Sequence, residues 1–230
     1  MKKLLIWDFD GVIADSEKLW VHAWDEILTS EKNIKLTKSE QDELLVGISD
    51  KLRRERLEKH VPNLVLDDDF MGKIHDREMY LGTNFMMPMD GVEKVLANNN
   101  FEHCIATGGT KAQHKCKIAT PQFQWMEKYM SDGDVFTVDM VEHGKPAPDL
   151  FLLAARTKKY APRDCIVIGD SINDFMAAKS ANMDCIAFIG ATGNNTPEYA
   201  AKCKTYGVFA VCKTMDAVNI ALDKWLGKHR

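Results

Sequence analysis

Four short stretches of the chain carry side chains that could do chemistry together. Asp8 and Asp10 flank Phe9 and precede Gly11. Thr107 precedes Gly108 and Gly109. Lys145 stands in Gly144-Lys145-Pro146, shortly before Asp149. Asp170 and Asp174 lie in Gly169-Asp170-Ser171-Ile172-Asn173-Asp174. Crowded carboxylates raise one another's pKa and stay ionised only around a cation. Oxygen donors alone favour a hard ion, Mg²⁺ before Ca²⁺, and Mg²⁺ leaves room for waters and a substrate phosphate. A lysine charge and the amides of glycine turns are phosphate-binding devices. A carboxylate can attack phosphorus and carry the phosphoryl group. A second carboxylate two residues on can protonate the leaving oxygen and then activate water.

These residues need elements that bring them to one place. Short apolar runs read as buried strands: Leu4 to Trp7, Cys104 to Thr107, Val135 to Val138, Cys165 to Ile168, Cys185 to Ile189 and Val208 to Val211. Helical patterns separate most of them, over Lys111 to Ile118, Asp149 to Thr157 and Ile172 to Ala181. Two more run from Thr196-Pro197 to Gly207 and from Thr214 to about Leu226. Alternation of this kind predicts an α/β fold, a Rossmann-like parallel sheet with helices on both faces. Ligands of such a sheet bind beyond the carboxyl ends of its strands, where all four stretches fall. From about Ser16 to Asn84 only helical signals occur. Thr37 with Glu40 makes a capping box, and Ser49 and Asp67 are further caps. The expected organisation is a core of residues 1–15 and 85–230 with an inserted helical cap, 16–84.

The 230 residues allow one or two domains and a core that needs no staple. An apolar fraction of 45% with 28% charged residues excludes a disordered or fibrous chain. The net charge of −4 gives no broad basic surface, so neither nucleic acid nor an anionic membrane is an expected partner. Cys104, Cys116, Cys165, Cys185, Cys203 and Cys212 form no metal-ligand spacing and read as buried free thiols in a reducing compartment. The first apolar run stops at Asp8, too short for a signal peptide, and none is long enough to span a bilayer. The expected setting is cytoplasmic. Oligomeric state is open, with a monomer as the default.

Asp8-Phe9-Asp10-Gly11-Val12-Ile13-Ala14-Asp15-Ser16 resembles the first motif of the haloacid dehalogenase superfamily. Thr107, Lys145 and Gly169 to Asp174 match its other three motifs in order, so the resemblance covers nearly the whole chain. It implies Asp8 as nucleophile and metal ligand. It implies Asp10 as general acid/base, reaching the metal through its backbone carbonyl. Asp170 would be a side-chain metal ligand, and Asp174 would orient Lys145 or a water beside the metal. Thr107, the amide of Gly108 and Lys145 would hold the phosphoryl oxygens. The implied cofactor is Mg²⁺. The insert resembles the family's helical (C1) caps, hinged near Asp15 and Pro88 and closing over substrate to exclude water.

The chain is most similar to the β-phosphoglucomutase and phosphoglycolate phosphatase subfamily. Dehalogenases lack the second aspartate, present here as Asp10. The mutases carry a histidine where this chain has Trp20 and an arginine where it has Asp50, although Arg53 and Arg54 lie nearby. Phosphonoacetaldehyde hydrolases use a cap lysine, for which Lys51 is the candidate. The resemblance therefore implies Mg²⁺-dependent hydrolysis of a small phosphorylated metabolite, a sugar phosphate or phosphoglycolate-like. The alternatives are mutase-like transfer, C–P cleavage, and binding of a phosphorylated ligand without turnover. Substrate choice is expected from Trp20, Trp24, Gly47, Ser49 and Lys51. Trp20 and Trp24 are spaced i, i+4, which also fits packing inside the cap. His60, His75, His103, His114 and His143 have no assigned partners, and the segment 190–207 has no assigned role.

Overall fold

The computed structural model describes residues 2–46, 48, 50–191 and 195–229. Six strands, β1 (Lys3–Trp7), β2 (Phe101–Thr107), β3 (Val135–Thr137), β4 (Cys165–Gly169), β5 (Asp184–Phe188) and β6 (Ala210–Cys212), form one sheet in the order β3-β2-β1-β4-β5-β6. Every pairing is parallel. The central strands are continuous apolar runs because both faces are covered. Alternate side chains leave on opposite faces. Leu5 and Trp7 join Ile105, Ile166 and Ile168 on one face, while Leu4 and Ile6 join Cys104, Ala106, Cys165 and Val167 on the other.

Of the five helices described between β1 and β2, four form the insert: α1 (Glu17–Lys32), α2 (Lys38–Leu44), α3 (Asp50–His60) and α4 (Asp68–Phe85). They share a core of their own around Val21, Trp24, Leu28, Leu57, Phe70 and Ile74. The chain leaves the sheet and returns to it side by side. The Asp15 amide donates to the Met87 carbonyl at 3.0 Å, and the Met89 amide to that of Ile13 at 2.7 Å. The remaining helices are α5 (Val92–Leu96), α6 (Lys111–Ile118), α7 (Asp149–Thr157), α8 (Ile172–Ser180), α9 (Pro197–Thr205) and α10 (Met215–Lys228). Apolar side chains of α5 and α10 cover the Leu5 face, and those of α7, α8 and α9 cover the Leu4 face.

The expected α/β architecture is the observed one. The capping box of Thr37 and Glu40 and the caps at Asp67, Thr110, Thr196 and Thr214 stand where the spacing puts them. Ser49, expected to cap α3, lies outside the described residues. Several details differ, among them β5, which ends at Phe188 rather than Ile189, and β6, which runs Ala210–Cys212 rather than Val208 to Val211. Strand β2 starts at Phe101 rather than Cys104, because Glu102 is carried on the strand by Lys158 and Tyr160. Val138 leaves the sheet for a 3₁₀ turn, Val138–Met140. Helix α5 and the 3₁₀ segment Pro121–Lys128 were not expected, since five residues or a three-fold repeat give no 3.6 period. Cys116 is exposed, whereas the other five cysteines are buried and free. Among the described residues no helix is long and apolar enough to cross a membrane.

Candidate active site

Each motif residue sits where a strand ends or a helix begins. Asp8 follows β1, and its amide donates to the Ile168 carbonyl of β4 at 2.9 Å. Thr107 ends β2, Asp170 follows β4, Asp174 lies in the first turn of α8, and Lys145 precedes α7. The Lys145 ammonium donates to Asp8 Oδ1 at 2.9 Å and to Asp174 Oδ1 at 2.7 Å, with its side chain only 7% exposed. One buried cation thus ties three loops together. Asp174 Oδ2 accepts from the Ser171 hydroxyl at 2.6 Å and the Ser171 amide at 3.1 Å. The carboxylate that closes the capping box of α8 is therefore also the one that receives the lysine. Helix α8 can start this close to β4 because residue 169 is glycine: a Cβ there would lie 2.4 Å from that of Asp174. Thr107 is buried, and its Oγ1 accepts from the Gly109 amide at 3.1 Å.

Carboxylate oxygens of Asp8, Asp170 and Asp174 lie within 4.8 Å of one another. Burial pushes the Asp8 carboxyl up to about 7; Lys145 opposes this, while Asp174 and Asp10 add to it. Burial also holds the Asp170 carboxyl well above the usual range, reinforced by Asp8, Asp174 and Glu17. For Lys145, burial acts downward, but Asp174 and Asp8 outweigh it and keep the ammonium above its ordinary value. Three carboxylates against one lysine leave an excess of negative charge. The donors are all oxygen, and the loop after β1 closes tightly on Asp170. Gly11 has φ 75°, and a Cβ there would fall 2.2 Å from Asp170 Oδ2. This set fits a small, hard divalent cation.

Gly11→Ala should therefore be severe. Left-handed backbone costs a non-glycine residue about 1 kcal/mol or more, and the methyl would have to displace Asp170. The expected result is a loss of activity of about 100-fold or more, with a lower melting temperature. Wild-type activity in this variant would show that Asp170 need not sit there.

Asp10 stands outside the carboxylate cluster. Its Oδ2 accepts from Lys117 Nζ of α6 at 2.6 Å, and its Oδ1 is buried with no hydrogen-bond partner. Nothing in the spacing sets Lys117 apart from Lys111 and Lys115 on the same short helix, so sequence reasoning missed it. It also missed Tyr199 of α9, whose hydroxyl donates to the Asp170 carbonyl at 2.7 Å. That contact gives α9, part of the segment with no assigned role, a place beside Asp170.

Among the expected specificity residues, the structure withdraws Trp24 into the core of the inserted helices. Trp24 is fully buried in the core of those helices and donates to Asp50 Oδ1 at 3.2 Å. Trp20 turns the other way, against Gly82 and over the Lys117 ammonium, 5.3 Å from its ring centroid. Lys51 is exposed, and Gly47 and Ser49 lie outside the described residues. Arg53 is 4% exposed. It donates to Asp50 Oδ1 at 2.8 Å, Glu17 Oε1 at 3.1 Å and the Leu45 carbonyl at 2.7 Å, with Glu78 Oε1 at 3.9 Å. Arg54 lies on the half-exposed side of α3 beside Glu58. Burial raises the Glu78 carboxyl to about 8, with Asp50 adding and Arg53 and Lys117 opposing. His103 accepts from the Trp7 indole at 3.2 Å, and His114 packs edge-on against Phe9 at 4.7 Å between centroids. Burial lowers both to about 4, so they serve as neutral packing groups.

A parallel sheet with buried acids and a lysine at its carboxyl edge, joined to an insert of helices, is an α/β fold whose acids and lysine could hold a cation and an anion side by side. The chain belongs to the haloacid dehalogenase-like hydrolases; that family's model matches residues 2–182. A probable pseudouridine-5'-phosphatase of Drosophila melanogaster is 28% identical over 188 residues, 79% of each chain. A phosphorylated carbohydrates phosphatase of Thermotoga maritima is 25% identical over 183 residues, covering 78% of this chain and 82% of its own. The solved structure of a conserved haloacid dehalogenase-like protein of Agrobacterium tumefaciens superposes with a TM-score of 0.85 at 22% identity, over 97% of this chain and 99% of that one. The enzyme expectation agrees with the family and with the phosphatases among its relatives.

Proposed function

We propose that the protein is a Mg²⁺-dependent phosphatase of small phosphorylated metabolites that works through an aspartyl-phosphate on Asp8. The observation that carries this reading is the Lys145 ammonium shared by Asp8 and Asp174 beside Asp170. Asp8 and Asp170, with the Asp10 carbonyl, would hold the ion, which when bound supplies positive charge against the phosphoryl oxygens. Lys145, Thr107 and the Gly108 amide bind those oxygens. Asp8 attacks phosphorus, and the bond to the leaving oxygen breaks. That oxygen takes a proton from Asp10. Asp10 then removes a proton from water, which attacks phosphorus and frees phosphate and Asp8. Asp174 holds Lys145 in place throughout. Residues 16–84 act as a cap, hinged where Asp15 and Met87 pair, and shed water from the closed site.

The relatives named above act, by their names, on a nucleoside phosphate and on phosphorylated carbohydrates. Arg53 and Lys117 already carry carboxylate partners, which supports a leaving group that is neutral and hydroxylated rather than anionic. The same pairing argues against a second phosphate and so against mutase chemistry. A net charge of −4 supports a small molecule rather than nucleic acid as partner, and the free cysteines support a reducing, cytoplasmic setting.

The test is phosphate release from p-nitrophenyl phosphate, sugar monophosphates and 2-phosphoglycolate, with Mg²⁺ and with EDTA. Release should require Mg²⁺, and a sugar monophosphate should exceed phosphoglycolate by about 10-fold or more, the effect of roughly 1.4 kcal/mol. No release by folded protein, or release unaffected by EDTA, contradicts the reading.

A further inference from the structure

We propose that Lys117 is the residue that positions Asp10, fixing which of its two oxygens meets the leaving group; this rests on the phosphatase reading above. The ammonium holds Asp10 Oδ2 at 2.6 Å. Oδ1, buried and without a hydrogen-bond partner, is then the oxygen left to exchange a proton with the leaving group. The mount is rigid. Helix α6 begins with a capping box in which Thr110 and Gln113 bond each other's backbone amides, so the helix is anchored to the loop that follows Thr107. The lysine is 13% exposed, its ammonium lying 5.9 Å from the Phe9 ring on the sheet side and 5.3 Å from the Trp20 ring on the side of the inserted helices. Both contacts are in the range of cation–π attraction. Glu78 of α4 faces the same ammonium, and His114, one turn earlier on α6, is neutral.

The ammonium is neutralised by an aspartate of the loop that follows β1, an element far away in the chain. As the phosphorus–oxygen bond breaks, its electron pair goes to the leaving oxygen, and the proton on Asp10 Oδ1 follows. Lys117 keeps its own protons, so its effect is on where Asp10 points.

That role separates substrates by leaving group. The ratio kcat/KM covers the steps up to phosphorylation of Asp8. An alkyl ester must be protonated as it leaves, whereas p-nitrophenolate leaves unaided. Lys117→Met removes the ammonium and keeps the apolar stem between Phe9 and Trp20. We expect kcat/KM for glycerol phosphate or a sugar monophosphate to fall about 100-fold, the usual worth of a well-placed general acid. That for p-nitrophenyl phosphate should change less than about 3-fold. Lys117→Arg should recover much of the loss. In an Asp10→Asn background the methionine change should add little, because the group it positions is gone. Equal losses for both esters, or no loss for either, overturn the proposal; Lys117→Gln carries the same comparison if Lys117→Met does not fold. A wild-type enzyme that hydrolyses neither ester overturns the phosphatase reading itself, and this shows before any variant is compared.

Discussion

Asp8→Asn abolishes phosphate release, by about 10⁴-fold or more in kcat, and the variant remains folded. The amide cannot form the covalent intermediate, so no slower version of the same route is left. The same substitution carries a stability signature of opposite sign. The Asp8 carboxyl is raised from 3.8 to about 7 in the folded protein, through burial first and against the pull of Lys145. The folded state therefore binds this proton more tightly than the unfolded chain. The stabilisation is complete below pH 3.8 and is lost as pH rises through about 7. Above that, in EDTA, the ionised carboxylate costs up to about 4 kcal/mol, at roughly 1.4 kcal/mol per pH unit. Asparagine removes that cost. In EDTA at pH 8 the variant should melt several degrees above wild type, and the gap should close at pH 4 to 5 or on adding Mg²⁺ to wild type. A variant that melts lower at pH 8 would mean that Asp8 is better solvated than its 8% exposure implies.

Lys145→Met has the opposite effect on stability. The methionine fills the same space against Phe151, over whose ring the ammonium now sits at 5.2 Å. It leaves Asp8 and Asp174 buried without their cation, next to Asp170. Removing one partner of a buried pair typically costs about 3–5 kcal/mol, because the remaining charge is uncompensated. Activity should fall about 10³-fold, since the phosphoryl oxygens lose their fixed positive charge. Denaturant melts at pH 7 check the first number. Adding Asp8→Asn to Lys145→Met should restore part of the stability, since the pair is coupled, and none of the activity. Independent, additive effects would contradict the shared ammonium.

The candidate site residues were legible in the sequence because each lies within a few residues of a strand end or, for Lys145, of the start of α7. Asp8 follows Leu4 to Trp7, and Asp170 follows Cys165 to Ile168, so reading the strand places the carboxylate. Asp174 was legible as part of its motif, while its second part, closing the Ser171 capping box of α8, came from the structure. The contacts that were not legible join elements distant in the chain. Lys117 reaches Asp10, Tyr199 reaches the Asp170 carbonyl, and Arg53 gathers Glu17 and Asp50. A helix lysine or arginine has the same local pattern whether it faces solvent or a buried acid. The i, i+4 spacing of Trp20 and Trp24 fits packing inside the insert, which holds for Trp24, whereas Trp20 packs against the sheet-side core and over the Lys117 ammonium.

The central claim is that the phosphoryl group passes through Asp8. The most direct measurement is a single-turnover time course with enzyme in excess over a hydrolysed monoester, quenched in acid and mapped by peptide mass. The mechanism predicts that a phosphoryl group appears on the peptide containing Asp8 before free phosphate, then decays as phosphate is released. Phosphate that forms without delay, with no phosphoryl group on the chain at any time, would contradict it.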